Sequence, residues 1–481
     1  MAAYRSPRYE EERKRKRRKA ILMRILVALV LCGILTALFF GVRAAYRRIR
    51  GWVNSVMNDP LLETTEAAST AARETIPLET EDPVTRYAAE LRTAEKLALS
   101  YDYDAAVSLV QSLPGYSNSD ELKGIVQDYL KAKTLLYRQD ISKVCHLYFH
   151  SLIVDPSLAF GSRSNNPDRY NQNMITLEEF RKILQQLYDN GYVLVSLHQM
   201  AGVDEFGNFA SGQILLPDGK KPFVLSVDDV QYYEELNGQG FASRIVLDAE
   251  NRPLCEYTGS DGQTVIGDYD IIPVLESFVE MHPDFSYRGA KGCLALTGYE
   301  GILGYRTAAL YGNPSDPDYK SSYASINVEE ERNAAKKVCD RLKELGWELA
   351  CHTWGHINVE NADLTRIQAD TQRWQSEVGS LTGKTDILIF TSGTDIGNWR
   401  NYSSEENEKY AFFKSQGFRY FCPVDAYTIP WVQFNSSEGY LRQGRVPVNG
   451  YSLAYRKEKL AVFFDADSVF DRSRPTPVPG Y

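Results

Sequence analysis

Lys221-Pro222-Phe223-Val224-Leu225-Ser226-Val227-Asp228-Asp229-Val230 decides how this chain is read. Its apolar, β-branched run predicts a buried strand, and that strand stops at two adjacent carboxylates. Farther on, Cys351-His352-Thr353-Trp354-Gly355-His356 follows a second strand-like run and sets two imidazoles four residues apart. One carboxylate with two imidazoles can make a metal-ligand triad, which leaves the other carboxylate free to act as a base. Each motif alone has a plainer explanation: Asp228-Asp229 as a solvated turn, and the histidine pair as satisfied core or surface residues. Their conjunction at strand ends is what points to a site.

Around these two motifs strands and helices alternate. Val144–Phe149 reads as a strand ending at His150, Thr176–Tyr188 as an amphipathic helix, and Gly191–Leu197 as the next strand. After Phe223–Val227 come helices at Ile271–Met281 and Val328–Leu345, a strand at Trp347–Ala350 and a helix at Leu364–Val378. A strand at Asp386–Thr391, a helix at Glu405–Gln416 and strand-like Phe418–Cys422 follow. Repeated units of this kind predict an α/β fold, a (β/α) barrel that is distorted or incomplete, with its chemistry at the C-terminal ends of the strands. His150, Asp228, His352 and Thr391 all fall at such ends. Two stretches rich in Gly, Tyr, Asp and Pro, Gln231–Asp268 and Leu296–Ser325, interrupt the alternation and are expected as loops shaping a cleft on that face.

The remaining chain is organised by charge. Of 54 basic and 63 acidic residues, 14 and 3 lie in residues 1–50, which leaves 40 basic against 60 acidic beyond them. So acidic a body excludes nucleic acid as the expected partner. The cluster Arg13–Lys19 precedes an uncharged apolar run, Ile25–Val42, of 18 residues, about 27 Å long as a helix. The expectation is a basic cytoplasmic tail (1–19), a transmembrane anchor (20–43) and a spacer (44–84) rich in Thr, Glu, Ala and Pro. A helical hairpin region (85–140) and a barrel domain (144–475) come next. The predicted location is the plasma membrane, single-pass, with the main domain outside the cell. The 7 cysteines show no C-x-x-C spacing, so a cysteine zinc site is unsupported and disulfide pairing is left open.

Leu225-Ser226-Val227-Asp228-Asp229-Val230 resembles the Thr-Phe-Asp-Asp-Gly motif of the polysaccharide deacetylase family, the NodB-like carbohydrate esterases. His352-Thr353-Trp354-Gly355-His356 resembles that family's His-Ser/Thr-x-x-His motif, and Phe149-His150-Ser151 is similar to the opening Tyr-His-x of many members. The resemblance runs loosely from about 144 to 470. It implies that Asp229, His352 and His356 hold a divalent metal, usually zinc, and that Asp228 is the general base. It further implies N-deacetylation of an acetylated cell-envelope polysaccharide, peptidoglycan or an exported N-acetylhexosamine polymer. Other readings are an O-acetyl esterase on the same site and a glycan- or partner-binding module without turnover. The chain departs from the family at three places. Val230 stands where the family has Gly, and Phe390-Thr391-Ser392-Gly393-Thr394-Asp395 lacks the base-orienting Arg. No histidine follows His356 to act as general acid, so His150 is the candidate for that role, with Asp395 or Asp425 as possible substitutes in the base's network.

Overall fold

In a computed structural model the structure describes residues 82–424 and 428–480. After a single helical turn at Pro83–Arg86 come three longer helices: α1 (Ala88–Leu99), α2 (Tyr103–Gln111) and α3 (Asp120–Lys133). Asp102 caps α2 and Ser119 caps α3, while Gly115, at φ 83, makes the left-handed turn between them. The helices close on a small core of Ala94, Ala106, Val110, Leu122 and Val126. Tyr101 joins them to the rest by stacking on Tyr287 and donating its hydroxyl to the Asp284 carbonyl.

The main sheet has ten strands: β1 (Cys145–Phe149), β2 (Tyr192–Leu194), β3 (Lys221–Val227), β4 (Cys293–Leu296), β5 (Glu348–Cys351), β6 (Ile387–Ile389), β7 (Tyr420–Cys422), β8 (Val432–Asn435), β9 (Tyr440–Gln443) and β10 (Val446–Pro447). Their order is β8-β9-β7-β6-β5-β4-β3-β1-β10, with β2 also paired to β3. Helices α4 (Leu177–Asp189), α5 (Ile271–Met281), α6 (Val328–Glu344) and α7 (Leu364–Glu377) lie between strands in the chain. Phe223, Val224, Leu225 and Val227 of β3 are at most 2% exposed, the burial their continuous apolar run requires. Truncating one, as in Leu225→Ala, costs about 2–5 kcal/mol.

The (β/α) barrel expectation is corrected here. The sheet is a curled half-barrel of mixed strands, because the β/α alternation fails in two places. Between β3 and α5 the chain makes a separate three-stranded antiparallel sheet from Ala242–Leu247, Pro253–Thr258 and Thr264–Gly267, in the stretch expected as loop. After β7 the chain turns back with no intervening helix, so that β8 runs antiparallel to β9. The curl comes from one segment: β9 pairs with β7, and β10, three residues later, pairs with β1 on the opposite side of the sheet. The membrane-anchor expectation is also corrected. Among the described residues no helix is long and apolar enough to cross a membrane, and the segments assigned to tail, anchor and spacer lie almost wholly outside them. A single-pass plasma-membrane location therefore has nothing in the described structure to carry it.

Register brings the strand ends level. Phe149 faces Val227, Leu296 faces Cys351, and Cys351 faces Leu388. His150, Asp228, His352 and Ile389 consequently emerge side by side. A buried ion pair ties the C-terminal segment to α4: Arg474 donates to Glu179, 2.7 Å away, with both side chains fully buried, and also bonds to Asn171. Gly450 lies against the Asn171 carbonyl, where a Cβ would come within 1.8 Å, so only glycine lets these two segments meet.

Candidate active site

The strand ends open into a cavity of about 700 Å³ lined by His150, Asp228, Asp229, His352, His356 and Arg445 among others. The structure thus brings all five sequence-predicted site residues to one cavity. Asp229 has φ 57, and this left-handed turn directly after β3 sends the neighbouring carboxylates in different directions. Asp228 turns inward and is 4% exposed, while Asp229 faces the histidines.

His352 and His356 belong to a tight loop in which Thr353 has φ 58 and His356 has φ 50. A β-branched residue in that region is strained, and such strain persists only where its surroundings enforce it. Here Asp370 of α7 enforces it, its two oxygens accepting from the Trp354 and Gly355 amides at 2.7 and 2.8 Å. The Thr353 hydroxyl accepts from the Ile357 amide at 2.9 Å. Trp354 packs over Gly298, where a Cβ would meet the indole at 2.2 Å, and donates its Nε1 hydrogen to Glu377.

Asp229, His352 and His356 each offer a ligand atom, all within 4.8 Å of one another. Asp229 Oδ1 lies 4.0 Å from His352 Nε2 and 3.8 Å from His356 Nε2. Donors around one tetrahedral ion at about 2.0–2.2 Å are roughly 3.4 Å apart, so the two Asp229–imidazole separations are about 0.4–0.6 Å longer than one ion would set. His352 Nδ1 donates to the Ile389 carbonyl at 2.8 Å, which leaves Nε2 with a lone pair aimed at the triad. Burial lowers the His352 imidazole's pKa despite the carboxylates of Asp228 and Asp229, which favours the neutral, ligating form. Asp229 Oδ1 accepts the Tyr233 hydroxyl at 2.8 Å, and Tyr233 is fixed by stacking on Tyr299. The donor set therefore suits a divalent cation.

Asp228 is held in place by Arg445. Its Nη1 donates to Asp228 Oδ1 at 2.6 Å, its Nη2 bonds to the Phe390 carbonyl at 3.4 Å, and its guanidinium lies over the Tyr148 ring. Behind it a relay fixes the fork: Arg445 donates to Ser226 Oγ, Ser226 to His146 Nε2, and His146 Nδ1 to Gln443. Burial would raise the Asp228 carboxyl, but the charge and hydrogen bond of Arg445 bring it below its ordinary value. Asp228 Oδ2 faces His352 Nε2 at 4.0 Å, which leaves that oxygen directed toward the triad. His150, half-buried and edge-on to Tyr148, lines the same cavity.

Three residues escaped the sequence reading. Arg445 does the work sought after Phe390, where the chain contributes backbone carbonyls to His352 and to Arg445 instead. Its one local signal is a pair of cations, Arg442 and Arg445, in the strand-like Leu441–Val448. Tyr233 sits in a stretch read as loop, four residues after Asp229, and Asp370 sits on a helix face read only for its apolar side. Asp395 does not join Asp228: it pairs with Arg442 at 2.6 Å, and Asp425 lies outside the described residues. Of the expected cleft loops, the first supplies Tyr233, Glu235 and Leu236 to the cavity, and the second supplies Tyr299 behind Tyr233.

No family model matches the sequence, and no curated protein matches it. Among solved structures, the Streptococcus pyogenes deacetylase PplD in complex with acetate is similar over 65% of this chain and 96% of that one, with 12% identity and a TM-score of 0.34. A likeness so remote carries no argument about this site's chemistry, which rests on the residues above.

Proposed function

We propose that this chain is a divalent-metal-dependent deacetylase that removes N-acetyl groups from an acetylated polysaccharide, peptidoglycan or an exported N-acetylhexosamine polymer. The observation that carries the reading is the division of labour between adjacent carboxylates: Asp228 held by a buried arginine, and Asp229 turned toward two imidazoles. Asp229, His352 and His356 would hold the ion, zinc being the best match to one carboxylate and two imidazoles. When bound, the cation supplies a Lewis acid for the acetyl carbonyl and makes water easier to deprotonate. Asp228 accepts the proton of the attacking water, and Arg445 keeps that carboxylate ionised and aimed. Tyr233 keeps Asp229 turned toward the histidines. His150, on the same cavity wall, gives a proton to the departing amine, without which an amide nitrogen does not leave.

The test is acetate release from an N-acetylated chito-oligomer by the full chain with and without zinc, set beside Asp228→Asn. Zinc-dependent release by the parent and its loss in the variant are expected. Equal release from both would remove Asp228 as base. Release only from O-acetylated sugars would make the chain an esterase, and none from any acetylated glycan would leave a binding module.

A further inference from the structure

We infer that Trp399 and Trp431 form a second carbohydrate subsite, which binds pyranose rings of a glycan chain extending out of the catalytic cavity. This inference rests on the deacetylase reading and names where the polymer lies. Trp399 is 40% exposed and has φ 63, directly after Asn398 at φ 46. A bulky aromatic in the left-handed region is strained, and its exposed indole leaves apolar surface in water. Folding alone gains little from either, and glycine would relieve the first.

The loop is nonetheless built to hold this ring. Asp395 accepts the amides of Gly397 and Trp399 on the same oxygen that takes Arg442 Nη2 at 2.6 Å. Arg442 is fully buried, and its guanidinium lies 5.3 Å from the Trp399 ring, 4.8 Å from Trp431 and 4.3 Å from Tyr402. Trp399 and Trp431 meet edge to face with centroids 5.0 Å apart. Two indoles set at right angles on a rigid, charged base suit the apolar C–H face of a sugar, which stacks on an aromatic ring while its hydroxyls stay in water.

Both rings are carried by segments that leave the cavity wall. Ser392 and Gly393 line the cavity, and the six residues on to Trp399 reach at most about 20 Å. The Trp431 carbonyl accepts the Gly444 amide at 2.9 Å, and the next residue is Arg445, which holds Asp228. A glycan of a few units spans that interval, whereas a monosaccharide in the cavity does not.

The experiment uses the full chain carrying Asp228→Asn, so that ligand is not turned over, titrated calorimetrically with a pentamer of N-acetylglucosamine and with the monomer. The pentamer is expected to bind about three- to tenfold more weakly once Trp399→Gly or Trp431→Ala is added, with monomer binding unmoved. Trp399→Gly should melt within a few degrees of its parent, since glycine relieves the positive φ, and Trp399→Phe should keep most of the affinity. Undiminished pentamer affinity in both tryptophan variants overturns the subsite even if the unmutated chain releases acetate. Unfolding of Trp399→Gly, with Trp399→Phe sound, assigns the ring to folding and overturns it as well. A pentamer that does not bind, in a protein that also releases no acetate, removes the deacetylase reading itself.

Discussion

The Asp228–Arg445 pair supports the sharpest quantitative expectation. Arg445 is fully buried, the Asp228 side chain is 6% exposed, and the contact is 2.6 Å. At an effective dielectric of about 20, unit charges at that separation attract by about 6 kcal/mol, against 0–1 kcal/mol for an exposed pair. Desolvation offsets much of that attraction, so the measurable quantity is the cost of leaving one charge buried alone, about 3–5 kcal/mol. Arg445→Met strands the Asp228 carboxylate, and Asp228→Asn strands the guanidinium, so each should lose that much stability. The double variant should lose clearly less than the sum, with a coupling of about 2–3 kcal/mol. Arg445→Lys keeps the charge but not the reach to both Asp228 and the Phe390 carbonyl, and should fall between wild type and Arg445→Met. Urea unfolding of the full chain in chelator, so that bound metal adds nothing, reads all four. Single-variant losses that add to within about 0.5 kcal/mol would refute the claim that these residues act as one buried unit.

Three further outcomes are expected. Tyr233→Phe removes the hydroxyl on Asp229 while keeping the stack on Tyr299, and should weaken zinc binding about tenfold in a chelator competition without changing the melting temperature of the metal-free protein. His150→Ala should slow amide hydrolysis by about a hundredfold yet barely touch an acetyl ester with a good leaving group, because only the amine needs its proton; equal losses on both would exclude His150 as the acid. At the other end of the strands, His198 lies between Glu348 and Asp386; burial would lower its pKa, but hydrogen bonds to Asp386 and Glu348 lift it to about 10. Since the folded value lies above the unfolded one of about 6.5, its stabilisation is complete below that pH and is lost as pH rises toward the folded value. The side chain is 49% exposed, so His198→Gln should cost no more than about 1 kcal/mol at pH 6 and nothing above pH 10, as followed by urea midpoints.

Much of the site could be read from the sequence because its key residues end locally patterned strands. The apolar run into Asp228 and Asp229 and the strand before His352 each declare themselves within ten residues, and the helix expected at Ile271–Met281 has those bounds in the structure. Arg445 could not be found this way: it reaches Asp228 across 217 residues, from beside a two-residue strand with no period to detect. Tyr233 acts through a hydrogen bond to Asp229 and Asp370 through two to the His352–His356 turn, and such bonds leave no mark on hydrophobic spacing. The curl was hidden for a related reason. A count of β and α units suggested a barrel, but the antiparallel insert and the strand shared between β7 and β1 are facts of long-range pairing.

That shared strand also fixes the order in which the site can mature. As the chain leaves the ribosome, Asp228, Asp229, His352 and His356 are all made before residue 440, and so before the arginine that pairs with Asp228. Until Tyr440–Pro447 is synthesised and bridges β7 to β1, Asp228 has no guanidinium to hold it ionised in the interior. On the proposed reading, a chain lacking this segment would keep the residues of the Asp229–His352–His356 cluster but not the guanidinium that prepares Asp228 as proton acceptor, so hydrolysis would need a piece of the fold made after all of them.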